Sequence, residues 1–215
     1  MSLDVALFYS RDCNGTRRIF YCNEEKEVTN FLAPRKEKFS EKFMAVGALS
    51  GRGPLPFMKV PQKVKINSAY YVEHVLKPLL EVHVLPLYGE DTCQVFVHHD
   101  AASSHTARFM MDYAEDLKRR TGITIIKKSR IPVKSPDASP MDFYGFGFLK
   151  QQLFKRKAKT LEGVWKVLND EWNKVSLITI RKVMESWKKR CHEISSGNGE
   201  HVEQTKAIHT HKSKL

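Results

Sequence analysis

The sequence is short of cysteine. Its 215 residues include four, Cys13, Cys22, Cys93 and Cys191, and no two of them form a Cys-x-x-Cys pair. That argues against a thiolate zinc module and for a reducing compartment. Cys13 and Cys22 would face each other across a hairpin, though free thiols are expected. No apolar run approaches the roughly 18 residues of a membrane span. Met1-Ser2-Leu3-Asp4 lacks both the basic and the apolar region of a secretory signal. No internal repeat is found. Acidic residues are also scarce, 24 Asp and Glu against 36 Lys and Arg, for a net charge of +12. From Lys150 to Leu215 the balance is 15 basic to 7 acidic. An excess of this size favours a polyanionic partner, most often nucleic acid, over a merely solvated basic surface. No single basic amphipathic helix stands out, which disfavours a membrane-surface protein.

What is present suits one globular domain. The hydrophobic fraction is 41% and the charged fraction 28%, and the length can bury a sizeable core. Residues 1–194 are expected to form that domain. The Ser-, Gly-, His- and Lys-rich stretch 195–215 is expected to be a disordered tail.

The stretch Val95 to His105 organises the rest. Val95-Phe96-Val97 reads as a buried strand that stops at polar residues, with Asp100 just past its end. The segment from Thr106 to Arg120 then reads as an amphipathic helix. In open α/β sheets the C-terminal edge of a strand is where chemistry sits, although Asp is also a common turn residue.

Upstream, Asp4 to Ser10 is β-prone, Asn14-Gly15 is a hairpin signal, and Arg17 to Cys22 supplies a return strand. Phe43 to Ser50 is a third strand. Leu55 to Val60 is an edge strand, because Pro56 cannot serve a central ladder. Asn67-Ser68 caps a helix through Leu79-Leu80, with Pro78 distorting its last turn. Ile123 to Ile126 is a short β run. This order implies a mixed sheet with helices on its faces.

Lys134 to Asp142 is a two-proline loop that launches a helix, with Ser139 as cap, Pro140 first and Asp142 third. Its apolar stripe runs through Phe143, Phe146, Leu149, Leu153 and Phe154. Thr160 and Ser176 start two more helices, whose stripes (Leu161, Val164, Trp165, Leu168, Trp172; then Ile180, Val183, Met184, Trp187) are core-like.

Asp142 has two readings. Ser-x-x-Asp at a helix start acts as a capping box, and the same helix dipole keeps the carboxylate ionised, as a metal ligand must be. Asp4 is a third candidate carboxylate. Asp4, Asp100 and Asp142, on two strands and a later helix, could hold two Mg²⁺ or Mn²⁺ ions for in-line phosphoryl transfer. His98, His99 and His105 surround Asp100. Adjacent strand residues point to opposite faces, so these histidines are expected to pack and orient rather than bind metal.

Two blocks carry a resemblance. His98-His99-Asp100-Ala101-Ala102-Ser103-Ser104-His105 resembles the His-Asp-Asn-Ala-x-x-His block of mariner-like DDE/D transposases. Ser135-Pro136-Asp137-Ala138-Ser139-Pro140-Met141-Asp142 resembles their Ser-Pro-Asp-Leu-x-Pro-x-Asp/Glu block. Met44 to Ser50 looks like their Met-Val-Trp-Gly-x-x-Ser strand, and Asn67 to Leu79 like the helix before the second Asp.

The resemblance spans about Asp4 to Glu193. It implies an α/β, RNase H-like fold, with a mixed five-stranded sheet flanked by helices. It also implies a catalytic domain that cleaves DNA at transposon ends and joins it to a target. Its catalytic and metal-binding residues would be Asp4, Asp100 and Asp142, its cofactors two Mg²⁺ or Mn²⁺ ions, and its partner DNA. A homodimer is expected in the active complex, a nuclear location follows, and no membrane is involved.

The sequence departs from the family at Val5, where Glu is usual, and at Ala101, where Asn is usual. It leaves 41 residues between Asp100 and Asp142, more than the common mariner spacing. The family's N-terminal helix-turn-helix region is expected to be absent. The rival reading is a catalytically inactive, transposon-derived remnant or a domesticated DNA-binding module.

Overall fold

The computed structural model describes residues 1–10, 41–99, 108–131 and 136–196. Strand β1 (Ser2–Tyr9) pairs antiparallel with β2 (Lys42–Ser50) over its whole length, from Ser2 opposite Leu49 to Tyr9 opposite Lys42. The far edge of β2 takes β3 (Gly53–Pro54) and β4 (Met58–Val60), both antiparallel. The edge strand expected over Leu55–Val60 is shorter: β4 pairs with β2, and Pro56 lies outside it. The expected hairpin at Asn14-Gly15 and return strand Arg17–Cys22 lie outside the described residues.

A second, parallel pair is formed by β5 (Phe96–Val97) and β6 (Thr124–Ile125). It meets β1 at one parallel bridge, Ser2 with His98. There the Leu3 N–H donates to the His98 carbonyl and the His98 N–H to the Met1 carbonyl, both at 2.9 Å. Among the described residues the strands divide into a four-stranded sheet and a two-stranded ribbon, so the mixed five-stranded sheet expected is not seen as one sheet. On β1 the Val5 N–H donates to Oδ1 of Asp4, at 2.7 Å.

The helices begin where the capping residues stand. Asn67 Oδ1 accepts the Tyr70 N–H at 2.8 Å and opens α1 (Ser68–Tyr71). This helix does not end near Leu80. It runs on through wide turns over Val72–Leu76 and Pro78–Val84 into α2 (Leu85–Tyr88). Pro78 and Pro86 stand inside this continuous helix, beside the wide turns that accommodate their missing N–H groups.

Helix α3 (Arg108–Thr121) stops at Gly122, whose φ is +80°. A Cβ there would also lie 2.9 Å from Cys93 Cα, so glycine is required twice over. Thr160 caps α5 (Leu161–Asn173) by accepting the Gly163 N–H at 3.1 Å. Ser176 caps α6 (Leu177–Ser196) by accepting the Thr179 N–H at 3.2 Å. Helix α4 (Gly147–Arg156) packs on α5. No described helix is long and apolar enough to cross a membrane. Helix α6 extends past the expected domain end, and residues 197–215 are outside the described set.

Alternation along β1 sorts the core into two layers. Leu3 and Val5 join Leu76, Leu79, Leu80 and, from α3, Leu117. Ala6 and Phe8 join Met141, Phe146, Leu149, Leu168 and Trp172 on the opposite face. Trp172 is fully buried, and its Nε1–H donates to the Leu55 carbonyl at 2.8 Å, tying α5 to the β3–β4 link. Two expected core residues point outward: Phe96 is 54% and Phe154 55% exposed. Each neighbours a residue that took the inward direction, Val97 on the strand and Leu153 on the helix.

Candidate active site

The side chain of Asp4 shares its face of β1 with Ala6 and Phe8, because residues two apart point the same way. Its partner across the β1–β2 ladder is Gly47. Directly over Gly47 sits Met141: a Cβ on Gly47 would fall 2.6 Å from Met141 Cε and 2.7 Å from Phe57 Cζ. On the other side, a Cβ on Gly145 would fall 2.9 Å from the same Cε. Met141 is thus seated between two glycines, and the turn that begins with it lies close on the sheet. Asp142 is the next residue. Asp4 and Asp142 therefore belong to the same face of the sheet.

The chain from Met141 to Phe146 is another wide turn, continuous with α4. Its start is held by Ser139, whose carbonyl accepts the N–H groups of Asp142 and Phe143, both at 3.0 Å. A capping box would have the Asp142 carboxylate accept the Ser139 N–H. That N–H instead donates to the Pro136 carbonyl at 3.1 Å, and the Asp142 side chain is exposed. The capping reading of Asp142 is therefore set aside, and its carboxylate is open to solvent at a helix start, where the dipole favours the anion.

Helix α6 grips the Pro136–Ala138 turn from outside. Trp187 Nε1–H donates to the Ala138 carbonyl at 2.8 Å. Arg190 lies 4.0 Å from the buried Asp137 carboxylate, and its guanidinium stacks 4.4 Å from the Phe143 ring centroid. The ring of His98, at the end of β5, meets Trp187 edge-on with centroids 5.4 Å apart. His99 turns the other way and stacks on Tyr71 of α1, at 6.1 Å and 8°. The two histidines thus lie on opposite faces, as strand alternation predicts, and each packs against an aromatic ring.

Asp100 and His105 lie outside the described residues. Among the described residues no cluster of three or more His, Cys, Asp or Glu forms a metal cage. Of the three expected carboxylates, Asp4 and Asp142 share a sheet face, and β5, the strand that leads to Asp100, ends beside β1.

No protein-family model and no curated protein matches the chain. Solved structures do. The pre-cleavage Mos1 transpososome superposes with a TM-score of 0.72 at 19% identity, over 93% of this chain and 56% of that one. The fold is that of a mariner transposase catalytic domain. The isolated catalytic domain of Mos1 mariner transposase superposes at 0.65 with 18% identity, over 93% of this chain and 83% of that one. The Mos1 mariner paired-end complex with Mn superposes at 0.70 with 19% identity, over 93% and 56%. The chain thus spans little more than half of the longer Mos1 chains.

Sequence reading treated α6 only as an apolar stripe. Residues on and beside that stripe matter too: Lys182, Lys189 and Arg190 line, with Val183, a cleft against the turn that carries Asp142. Their spacing on one helical face was the available signal.

Proposed function

We propose that the chain is the catalytic domain of a DDE/D-type transposase, which cleaves DNA and joins the cut end to a target by phosphoryl transfer. The observation that carries this reading is a register. Ser2 of β1 pairs in parallel with His98 of β5. There β5, the strand that Asp100 follows in sequence, ends beside the β1 residues that lead to Asp4. Asp142 comes over the same sheet face through Met141 and Gly47. Three hard carboxylate donors would then converge, the donor type that Mg²⁺ and Mn²⁺ prefer.

Asp4, Asp100 and Asp142 would hold two such ions. When bound, the ions supply Lewis acidity and lower the pKa of an attacking water or 3′-hydroxyl. The chain's part is to position. The β1–β2 ladder fixes Asp4, and the packed Met141 fixes the start of the turn that bears Asp142. Trp187 and His98 join that turn to the end of β5. The strands β4/β3–β2–β1–β5–β6 then read as one interrupted sheet of RNase H type.

The DNA partner is supported by the net charge of +12 and by the DNA-bound state of the Mos1 relatives. Their paired-end assembly supports a dimer for this chain, and the activity supports a nuclear location. Nicking of a supercoiled plasmid tests the reading. The wild-type chain should nick with Mg²⁺ or Mn²⁺ and not with chelator, and Asp100→Asn or Asp142→Asn should each abolish nicking. Metal-dependent nicking that survives both changes would reject it.

A further inference from the structure

Beside Asp142 lies a cleft of about 480 Å³, walled on one side by the Met141–Phe146 turn and on the other by α6. Phe143 and Tyr144 line the first wall. Lys182, Lys189, Arg190 and one carboxylate, Glu193, line the second. We infer that this cleft holds the backbone of the DNA strand leading to Asp142, with Lys182 and Lys189 as its phosphate contacts. The inference rests on the function proposed above and assigns that site a strand-binding wall.

The three cations differ. Arg190 is engaged, stacked on Phe143 and 4.0 Å from Asp137, so it serves to hold the wall in place. Lys182 and Lys189 are exposed and have no acidic partner among the described residues. They are seven residues apart, two turns along one face. At 1.5 Å per residue that is about 10.5 Å, a span from which two flexible lysine side chains can each reach a phosphate of one strand. Two ammonium groups at that spacing suit two phosphates of one strand, whose charges are regular, better than an acidic peptide.

Opposite them, Tyr144 lies half-buried and parallel to Phe148, at 5.8 Å and 10°. Its ring offers a supported plane for a sugar or an unpaired base. Phe143 and Tyr144 belong to the same turn as Asp142, so the cleft opens within one turn of the carboxylate.

The test uses the full chain and a fluorescently labelled duplex of random sequence, titrated at several salt concentrations. Each phosphate contact contributes about 0.9 to the slope of log K against log salt. Lys182→Ala with Lys189→Ala should therefore flatten the slope by about 1.8. Lys155→Ala with Lys166→Ala, exposed lysines outside the cleft, should leave it nearly unchanged. In plasmid nicking the cleft pair should raise KM and spare kcat. Thermal melts of all variants should coincide, since only exposed side chains change.

An unchanged slope in the cleft pair, or an equal loss in the control pair, would overturn the inference. So would displacement of DNA by polyglutamate as efficiently as by unlabelled DNA. Should the wild type nick with metal while the cleft pair keeps its slope, the cleft is wrong and the catalytic reading stands. Should the cleft pair lose slope while the wild type never nicks, the cleft stands as a binding site and the catalytic reading fails.

Discussion

Asp4 and Gly47 face each other across the β1–β2 ladder, and the side chain that Gly47 lacks is replaced by Met141. The pairing places a carboxylate next to the only kind of residue that lets a neighbouring turn lie this close. Gly47→Ala would insert a Cβ 2.6 Å from Met141 Cε and 2.7 Å from Phe57 Cζ. Overpacking of this kind costs about 1–3 kcal/mol, read as a lower urea midpoint with an unchanged slope. Because Met141 adjoins Asp142, nicking should fall by more than the loss of folded protein explains.

How much of this was legible beforehand depended on the length of the element. Caps at Asn67, Thr160 and Ser176 were readable because one side-chain oxygen opposite one amide decides each of them. Long stripes such as Val164, Leu168 and Trp172 were readable because periodicity accumulates over three turns. Two-residue strands carry no periodicity, so β5 and β6 were found from apolar content while Phe96 was misjudged as buried. The end of the helix after Ser68 was missed because Pro78 read as distorting a last turn, whereas the helix runs on past it through wide turns. Asp142 could not be separated from a cap by spacing. The hydrogen bond from Ser139 to Pro136 separates them, and it depends on a turn that no local pattern announces.

That hydrogen bond makes the role of Asp142 measurable by stability alone. A capping carboxylate replaced by alanine loses about 1 kcal/mol. An exposed one away from the cap changes stability by no more than about 0.5 kcal/mol. Asp142→Ala is expected to melt within that smaller margin while losing metal-dependent nicking altogether. A melt lowered by the full capping amount would return Asp142 to a structural role.

On the opposite side of the sheet, Tyr113 gives the fold an alkaline limit. Its hydroxyl donates to Glu81 at 3.1 Å. Burial, then the Glu81 charge, raises the phenol pKa above its ordinary value. A raised folded pKa means that the unfolded chain releases this proton first as pH rises. Stability from this group is therefore complete below about pH 10 and is lost above it, by up to about 1.4 kcal/mol per pH unit. Urea unfolding between pH 9 and 11 (both chosen to bracket an ordinary phenol pKa of about 10) should show the loss. It should be shallower in Tyr113→Phe.

Trp187 joins the end of β5 to the loop before Asp142, through its ring against His98 and its Nε1–H on the Ala138 carbonyl. Trp187→Phe keeps an aromatic ring and removes the hydrogen bond. The expected cost is about 1 kcal/mol in stability, with a lower kcat at saturating DNA, because the loop and not the strand-binding wall is disturbed. A variant with wild-type kcat would mean that the Pro136–Asp142 segment holds its place without α6.

Metal binding can be read without any cleavage. A ligand that binds the folded chain alone stabilises it by RT ln(1 + [L]/Kd), about 2.7 kcal/mol at a concentration 100 times Kd. Mn²⁺ titrated into the DNA-free wild-type chain should raise Tm progressively, and Ca²⁺, which also binds oxygen donors, should do so as well. Removing one carboxylate should weaken the response, and removing two should abolish it. The order of the single variants is informative. Asp4 already accepts the Val5 N–H through Oδ1, so one of its oxygens is shared, whereas Asp142 is exposed at a helix start. Asp142→Asn should therefore reduce the Mn²⁺-induced shift more than Asp4→Asn. Equal shifts in wild type, Asp4→Asn and Asp142→Asn would show that neither carboxylate holds the metal.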